Sequence, residues 1–224
     1  MISSALILGS SGLIGSHLLT LLLEAPQYGE VWALVRRPSG VSHQKLREHI
    51  VDFDRLAETF GTLGGEDVFC CLGTTIHTAG SQEAFRMVDL TYVVDAAAMA
   101  QHNGATRFFV VSSIGADSKS SLFYSRIKGE MEVAVSRMPF QAIGILRPSL
   151  LLGDRKEFRL GEKAGALGMR LASFALQGPL RKYRAVQAAD VAAAMLFLSR
   201  TNFQGVRVVE SDEIQRIARL VNSE

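Results

Sequence analysis

Apolar residues in this chain fall into short continuous runs and into longer stretches with helical spacing, and the two kinds alternate. "ALIL" (5–8) reads as a strand. It runs into a glycine turn and then the helix "IGSHLLTLLLEA", which Pro26 stops. "EVWALVRRP" is a strand ending at Arg36, and "VDF" closes a weaker strand candidate. "EDVFCCLGTT" is a continuous apolar run ending in Gly and two Thr. A helix rich in Ala and Val spans roughly 81–101, with Gly104 as its stop. "RFFVVSS" is a strong β-branched and aromatic strand. Phe123, Ile127, Met131, Ala134, Val135 and Met138 then recur at helical spacing before Pro139. "QAIGILRPSLLLG" is a strand with its exit loop, "AADVAAAMLFLS" a late helix and "GVRVVE" a late strand. Strands apolar on both faces and alternating with helices predict an α/β fold with a doubly wound parallel sheet.

The 224 residues suffice for one well-buried domain and are few for two. One domain over 1–224 is therefore expected, with 149–184 as a small irregular region. Lys156, Arg159, Lys163, Arg181, Lys182 and Arg184 make that region basic; a solvated surface and a contact to an acidic substrate or partner are both open readings. A net charge of +2 gives no general pull towards nucleic acid or acidic lipid. The adjacent Cys70 and Cys71 read as buried thiols, and their usage suits a reducing cytoplasm, the expected location. The five histidines lack paired-ligand spacing, so no metal is expected.

No charged residue occurs from Met1 to Leu23, which raises the question of a secretion signal or a membrane anchor. A signal would want a basic segment before its apolar core. Gly9, Ser10, Ser11, Gly12, Gly15 and Ser16 split the run, so a strand, turn and helix are expected instead, with no membrane partner.

In that setting the glycines have physical work. Gly9 makes the tight turn, Gly12 lets a ligand approach the backbone, and Gly15 lets the helix pack on the sheet. The first helical turn presents unpaired N–H groups and a partial positive charge, which suit a pyrophosphate. Gly9, Ser11, Gly12, Leu13 and Ile14 are the expected cradle. The spacing is GxxGxxG rather than GxGxxG, and no P-loop lysine is present. At the end of the second strand, where an acidic residue would select NAD, stand Arg36 and Arg37. Guanidinium groups grip a ribose 2′-phosphate, so NADP(H) is the expected cofactor. Two solvated arginines are the plainer alternative. Asp52, followed by Phe53, is placed to meet the adenine, and Gly73 with Thr74 to line the cofactor's middle; a helix cap and a turn are the plainer readings of these residues.

The candidate chemistry lies in "VVSSIGADSKSSLFYSRIKGE". Tyr124 and Lys128 are four apart and share a helix face. Ser112 and Ser113 end a central strand, at the edge where such sheets bind ligands. A phenol has an ordinary pKa of about 10, and an ammonium beside it favours the phenolate. A tyrosine so placed can give or take a carbonyl proton while a nicotinamide moves hydride, and a serine hydroxyl can hold the carbonyl oxygen. Tyr-x-x-x-Lys also arises by chance as an exposed helix pair.

Together, "GSSGLIG", the "RR" pair, "VVSS", "YSRIK" and "LRPSLLLG" resemble the short-chain dehydrogenase/reductase superfamily, in its extended or atypical branch. The resemblance covers nearly the whole chain. It implies a Rossmann fold, NADP(H) binding and a triad of Ser113, Tyr124 and Lys128, with Ser112 as an alternative serine and Pro148 bordering the nicotinamide. Asp89 carries two readings: support of the active site, through the resemblance, and an ordinary solvated carboxylate. Little chain remains for the larger substrate lobe of sugar-nucleotide epimerases. An oxidoreductase acting on an unidentified small carbonyl or alcohol is therefore expected, with an NADP(H)-sensing regulatory protein as the alternative. A homodimer is a candidate assembly, and no nucleic-acid partner is expected.

Overall fold

The computed structural model describes residues 3–61, 65–153 and 178–221. Four strands and their links make the first half: β1 (Ser3–Leu8), α1 (Leu13–Glu24), β2 (Tyr28–Val35), β3 (Leu46–Ile50), α2 (Leu56–Thr59) and β4 (Asp67–Cys70). Short helices α3 (Ile76–Ala79) and α4 (Gln82–Arg86) follow. A π-helical turn (Met87–Thr91) then leads into α5 (Tyr92–His102). Next come β5 (Arg107–Val111), α6 (Phe123–Ser136), β6 (Ala142–Arg147) and β7 (Leu151–Leu152). Beyond residue 177 lie β8 (Val186–Gln187), α7 (Ala188–Ser199), β9 (Gly205–Glu210) and α8 (Ser211–Val221).

Seven strands form one sheet in the order β3-β2-β1-β4-β5-β6-β9, and every pairing in it is parallel. The expected Rossmann-type sheet is therefore present. The small β7–β8 pair stands apart from it. Helices α1, α7 and α8 cover one face with Ala5, Ile7, Ala33, Phe69, Phe109 and Val209 beneath them. Helices α5 and α6 cover the other, over Leu6, Leu8, Leu34, Val68, Val110 and Ile145. Alternate residues of β1 thus enter opposite cores, which is why the strand reads as unbroken apolar sequence. The helix expected over 81–101 exists as α4, the π turn and α5 together. Its stop is as expected: Gly104 has φ +91°, and the Ala105 amide returns to the Ala100 carbonyl.

Three details differ from the sequence reading. β2 ends at Val35, so Arg36 and Arg37 begin the loop rather than finish the strand. β3 spans Leu46–Ile50, ahead of "VDF". Helix α8 was not anticipated. Of the irregular region expected over 149–184, residues 154–177 lie outside the described residues, among them Lys156, Arg159 and Lys163. No helix among the described residues is long and apolar enough to cross a membrane.

At the amino-terminal edge of the sheet a polar cluster ties the layers together. Asp67 is fully buried. It accepts from Arg107 Nε at 2.5 Å, from Arg107 Nη2 at 2.7 Å and from the Tyr28 hydroxyl. Arg107 also donates to the Ser199 carbonyl at 2.6 Å, at the carboxyl end of α7, where a cation is favoured. Parallel register places Asp67 directly beside Arg107.

Candidate active site

The carboxyl ends of the central strands carry the site. Between β1 and α1 the chain turns at Gly9, whose φ is +77°. A Cβ there would stand 2.7 Å from the Cys71 carbonyl, and one at Gly15 would stand 2.0 Å from the Gly9 oxygen. Both glycines are required by the chain itself. Gly12 differs: it is exposed, and a Cβ would meet only the Gly9 oxygen, at 3.2 Å, among the described residues. The loop is therefore open on the Gly12 side. Gly12 is the N-cap of α1 and offers no side chain to cap it, so first-turn amides at Leu13 and Ile14 lack intrahelical acceptors. The Ile14 side chain itself belongs to the core. Ser11 is exposed beside the opening.

Gly12→Val tests this separation of roles. It is expected to abolish binding of a dinucleotide, read by fluorescence titration, while circular dichroism and solubility change far less. Loss of the fold with binding retained by refolded protein would make the glycine purely structural.

Arg36 and Arg37 are exposed just beyond β2. Next to them, Asp52 caps the turn Phe53–Arg55 by accepting from the Asp54 amide at 3.0 Å. The Tyr92 hydroxyl donates to Asp54, and its ring lies 5.6 Å from that of Phe53. Burial, then the Asp54 bond and charge, and the charge of Asp52, push the Tyr92 phenol up to about 12, while Arg36 acts in the opposite direction. Arg36, Asp52, Phe53 and Tyr92 thus form one corner at the edge of the sheet.

On the other side of the opening, β5 delivers Ser112 and Ser113, both buried, with hydroxyls that have no hydrogen-bond partner among the described residues. Their backbones are fixed: the Ser112 amide donates to the Leu146 carbonyl at 2.7 Å, and Ile114 donates to the Pro148 carbonyl at 2.9 Å. Pro148 is therefore held against the end of β5. Buried hydroxyls left unpaired cost about 1–3 kcal/mol each, so a ligand that pairs them recovers that penalty.

Helix α6 brings Tyr124 and Lys128. Tyr124 is 38% exposed, with its ring 5.5 Å from that of the buried Phe85. Lys128 is buried. Its Nζ stands 2.8 Å from Asp89 Oδ1, and it donates to the Val111 carbonyl at 3.4 Å, two residues before Ser113. Burial disfavours the ammonium, but the charges of Asp89 and Tyr124 more than offset it, so the Lys128 pKa is raised. The Thr74 amide donates to Asp89 Oδ2 at 2.8 Å and is therefore engaged by the protein. Gly73 lies over the pair; a Cβ there would be 3.4 Å from Asp89 Oδ1. One turn beyond Lys128, Glu132 accepts from Arg147 at 3.0 and 2.6 Å, and Arg147 also reaches Glu210 at 3.1 Å. This anchors the helix to β6 and β9.

The sheet order therefore puts Ser112, Ser113, Gly73 and Pro148, with Lys128 and Tyr124 of α6, on the β4–β5 side of β1, and Arg36, Asp52 and Phe53 on the β2–β3 side. Asp89 is a buried ion-pair partner rather than a solvated carboxylate. The sequence did carry a signal for that. Phe85, Asp89, Val93, Ala96 and Ala100 follow one helical stripe and are all buried, and a carboxylate in such a stripe needs a cation. Among the described residues no three His, Cys, Asp or Glu side chains cluster as a metal site would.

A parallel sheet whose first turn is a glycine opening on a helix N-terminus, with arginines beyond the second strand, defines a dinucleotide-binding protein of the Rossmann type. The chain belongs to the NAD dependent epimerase/dehydratase family, matched over residues 5–209, and so to the short-chain dehydrogenase/reductases. It is 39% identical to Protein HTATIP2 of Rattus norvegicus over 163 residues, 71% of this chain and 67% of that one. It is 29% identical to "Protein FMP52, mitochondrial" of Candida albicans over 231 residues, 98% of this chain and 100% of that one. Among solved structures, MoeE5 in complex with UDP-glucose and NAD superposes with TM-score 0.66 at 18% identity, covering 98% of this chain and 82% of its own. Human epimerase family protein SDR39U1 with NADPH gives TM-score 0.64 at 19% identity, covering 92% and 73%. At these identities the superpositions establish the fold.

The relatives correct one expectation. Several are named as mitochondrial, so the cytoplasmic location read from cysteine usage does not stand. The physical reason lies in the thiols. Cys70 is buried in one core and Cys71 packs half-buried against the other, an apolar packing role that any compartment allows.

Proposed function

We propose that the protein is an NADP(H)-dependent oxidoreductase that moves hydride to or from a small carbonyl or alcohol. The observation that carries this reading is the pair of buried hydroxyls of Ser112 and Ser113, unpartnered among the described residues, at the strand end served by Lys128. A cofactor fits the residues present. The space beside Gly12 admits a pyrophosphate against the amides of Leu13 and Ile14, with Gly9 and Ser11 shaping the loop. Arg36 and Arg37 meet the 2′-phosphate, Asp52 and Phe53 the adenine, and Gly73, Thr74 and Pro148 border the remainder. A nicotinamide held there supplies or accepts hydride. Ser113 holds the substrate oxygen, with Ser112 beside it. Tyr124 gives its phenolic proton to that oxygen in reduction and takes it back in oxidation. Lys128 favours the phenolate between these events.

NADPH oxidation followed at 25 °C over a panel of aldehydes, ketones and quinones tests the reading. Turnover of at least one class is expected. Tight NADPH binding with no turnover across the panel would replace it with a cofactor-sensing role. The cofactor preference has its own test. NADPH is expected to bind about tenfold or more tightly than NADH, the range of one charged hydrogen bond. Replacing Arg36 and Arg37 together by alanine should remove most of that preference. Equal affinities in the unaltered protein would contradict the assignment.

A further inference from the structure

The Asp89–Lys128 pair is nearly closed to water: the two side chains are 1% and 4% exposed. A lone ammonium at such a depth is strongly disfavoured and tends to shed its proton. The groups facing Lys128 can be named element by element. Among the described residues, Asp89 comes from the π turn, Tyr124 from α6 and Cys70 from β4, while β5 contributes the Val111 carbonyl. Of these, Asp89 has by far the lowest ordinary pKa, and the Cys70 thiol is pushed up by burial. Asp89 is itself fixed on both sides, by Nζ at 2.8 Å and by the Thr74 amide at 2.8 Å. The π turn holds it there: Asp89 and Leu90 are the buried members of that turn, while Met87 stays exposed.

We propose that Asp89 is a positioning residue that keeps Lys128 an ammonium, aimed towards Tyr124, in a site too dry to hold that charge alone. The inference deepens the role given to Tyr124 above and rests on it for its catalytic meaning. Its consequence is specific. Lys128 can favour the phenolate only while it is charged. With the carboxylate removed, burial acts on Lys128 against only the weaker pull of Tyr124 and Cys70, the side chain becomes neutral nearer working pH, and its support of the Tyr124 phenolate is lost. Asp89 therefore sets the pH range in which the phenol serves as an acid and a base.

The test is a titration of the full chain carrying ¹³Cε-labelled lysine, with the Lys128 resonance assigned by Lys128→Arg. In the unaltered protein Lys128 is expected to remain an ammonium past the ordinary lysine value of about 10.4. A midpoint below that value would overturn the proposal, and this reading needs no variant. In Asp89→Asn, which keeps the size and an acceptor for the Thr74 amide, the midpoint should fall by about two units or more. An unchanged midpoint would overturn the proposal. The pH profile of kcat in Asp89→Asn should move to higher pH by about one unit or more, a displacement that loosened packing alone does not produce. The titration requires no substrate, so it separates the two ideas. Unaltered turnover in Tyr124→Phe removes the catalytic reading, whereas an unaltered Lys128 midpoint in Asp89→Asn removes this one.

Discussion

Tyr124→Phe is expected to lower kcat about 10²- to 10⁴-fold and to leave NADPH affinity close to its starting value. The substitution keeps the ring, and with it the contact to Phe85, but removes the proton that passes to or from the substrate oxygen. That proton moves only as the hydride does, so its loss falls on the transition state rather than on cofactor binding. Tyr124 is also partly exposed, so packing costs are small. Lys128→Met should lower both kcat and NADPH affinity, because the ammonium favours the phenolate and, held beside the end of β5, is expected to hold the nicotinamide ribose as well. Ser113→Ala should resemble the tyrosine change in a milder form. Steady-state kinetics with separately measured dissociation constants decide the matter. An unchanged kcat in Tyr124→Phe would reject the triad as the catalytic machinery.

Arg107→Met is expected to destabilise the fold by about 3–5 kcal/mol, the usual cost of stripping a buried charge of its partner. Asp67 is fully buried, and Arg107 supplies two of its hydrogen bonds as well as its cation. Even with that cation present, burial holds the Asp67 pKa above its ordinary value, while Tyr28 and Arg107 pull it down. Removing Arg107 must raise it further. A carboxyl group whose folded pKa exceeds its unfolded one binds its proton more tightly in the native state. Its penalty is present above the folded pKa and is relieved as pH falls through it. The deficit of Arg107→Met relative to the unaltered protein should therefore be largest near neutral pH and should narrow on acidification towards that raised value. Urea unfolding at a series of pH values measures this. A deficit below about 1 kcal/mol at neutral pH, or one that widens on acidification, would show that the pair does not bear on stability as described.

The central sheet was legible because its strands are buried on both faces: Ala5, Leu6, Ile7 and Leu8 are all inaccessible to solvent, two to each core. β3 was not, because it is an edge strand in which only Leu46 is buried and Arg47, Glu48 and His49 interrupt any apolar run. Helix α8 had a signal in Ile214, Ile217, Ala218 and Val221, spaced as a helix face among polar residues. Of these, Ile214, Ile217 and Ala218 are buried. At the site, Gly9, Gly15, Tyr124 and Lys128 were legible because spacing alone places them on one turn or one helix face. The Asp67–Arg107 pair was out of reach. Forty residues separate its members, and only the register of β4 on β5 brings them together. The engagement of the Thr74 amide by Asp89 was hidden for the same reason. It depends on how the loop after β4 sits against the π turn, which no local pattern encodes.

A crystal structure grown with NADPH is the decisive measurement. A pyrophosphate is expected against the amides of Leu13 and Ile14 beside Gly12, a 2′-phosphate within hydrogen-bond distance of Arg36 or Arg37, and a nicotinamide ring over the side of the opening formed by Ser113, Tyr124 and Lys128. Nucleotide bound elsewhere on the chain, or a nicotinamide turned away from Tyr124, would contradict this placement.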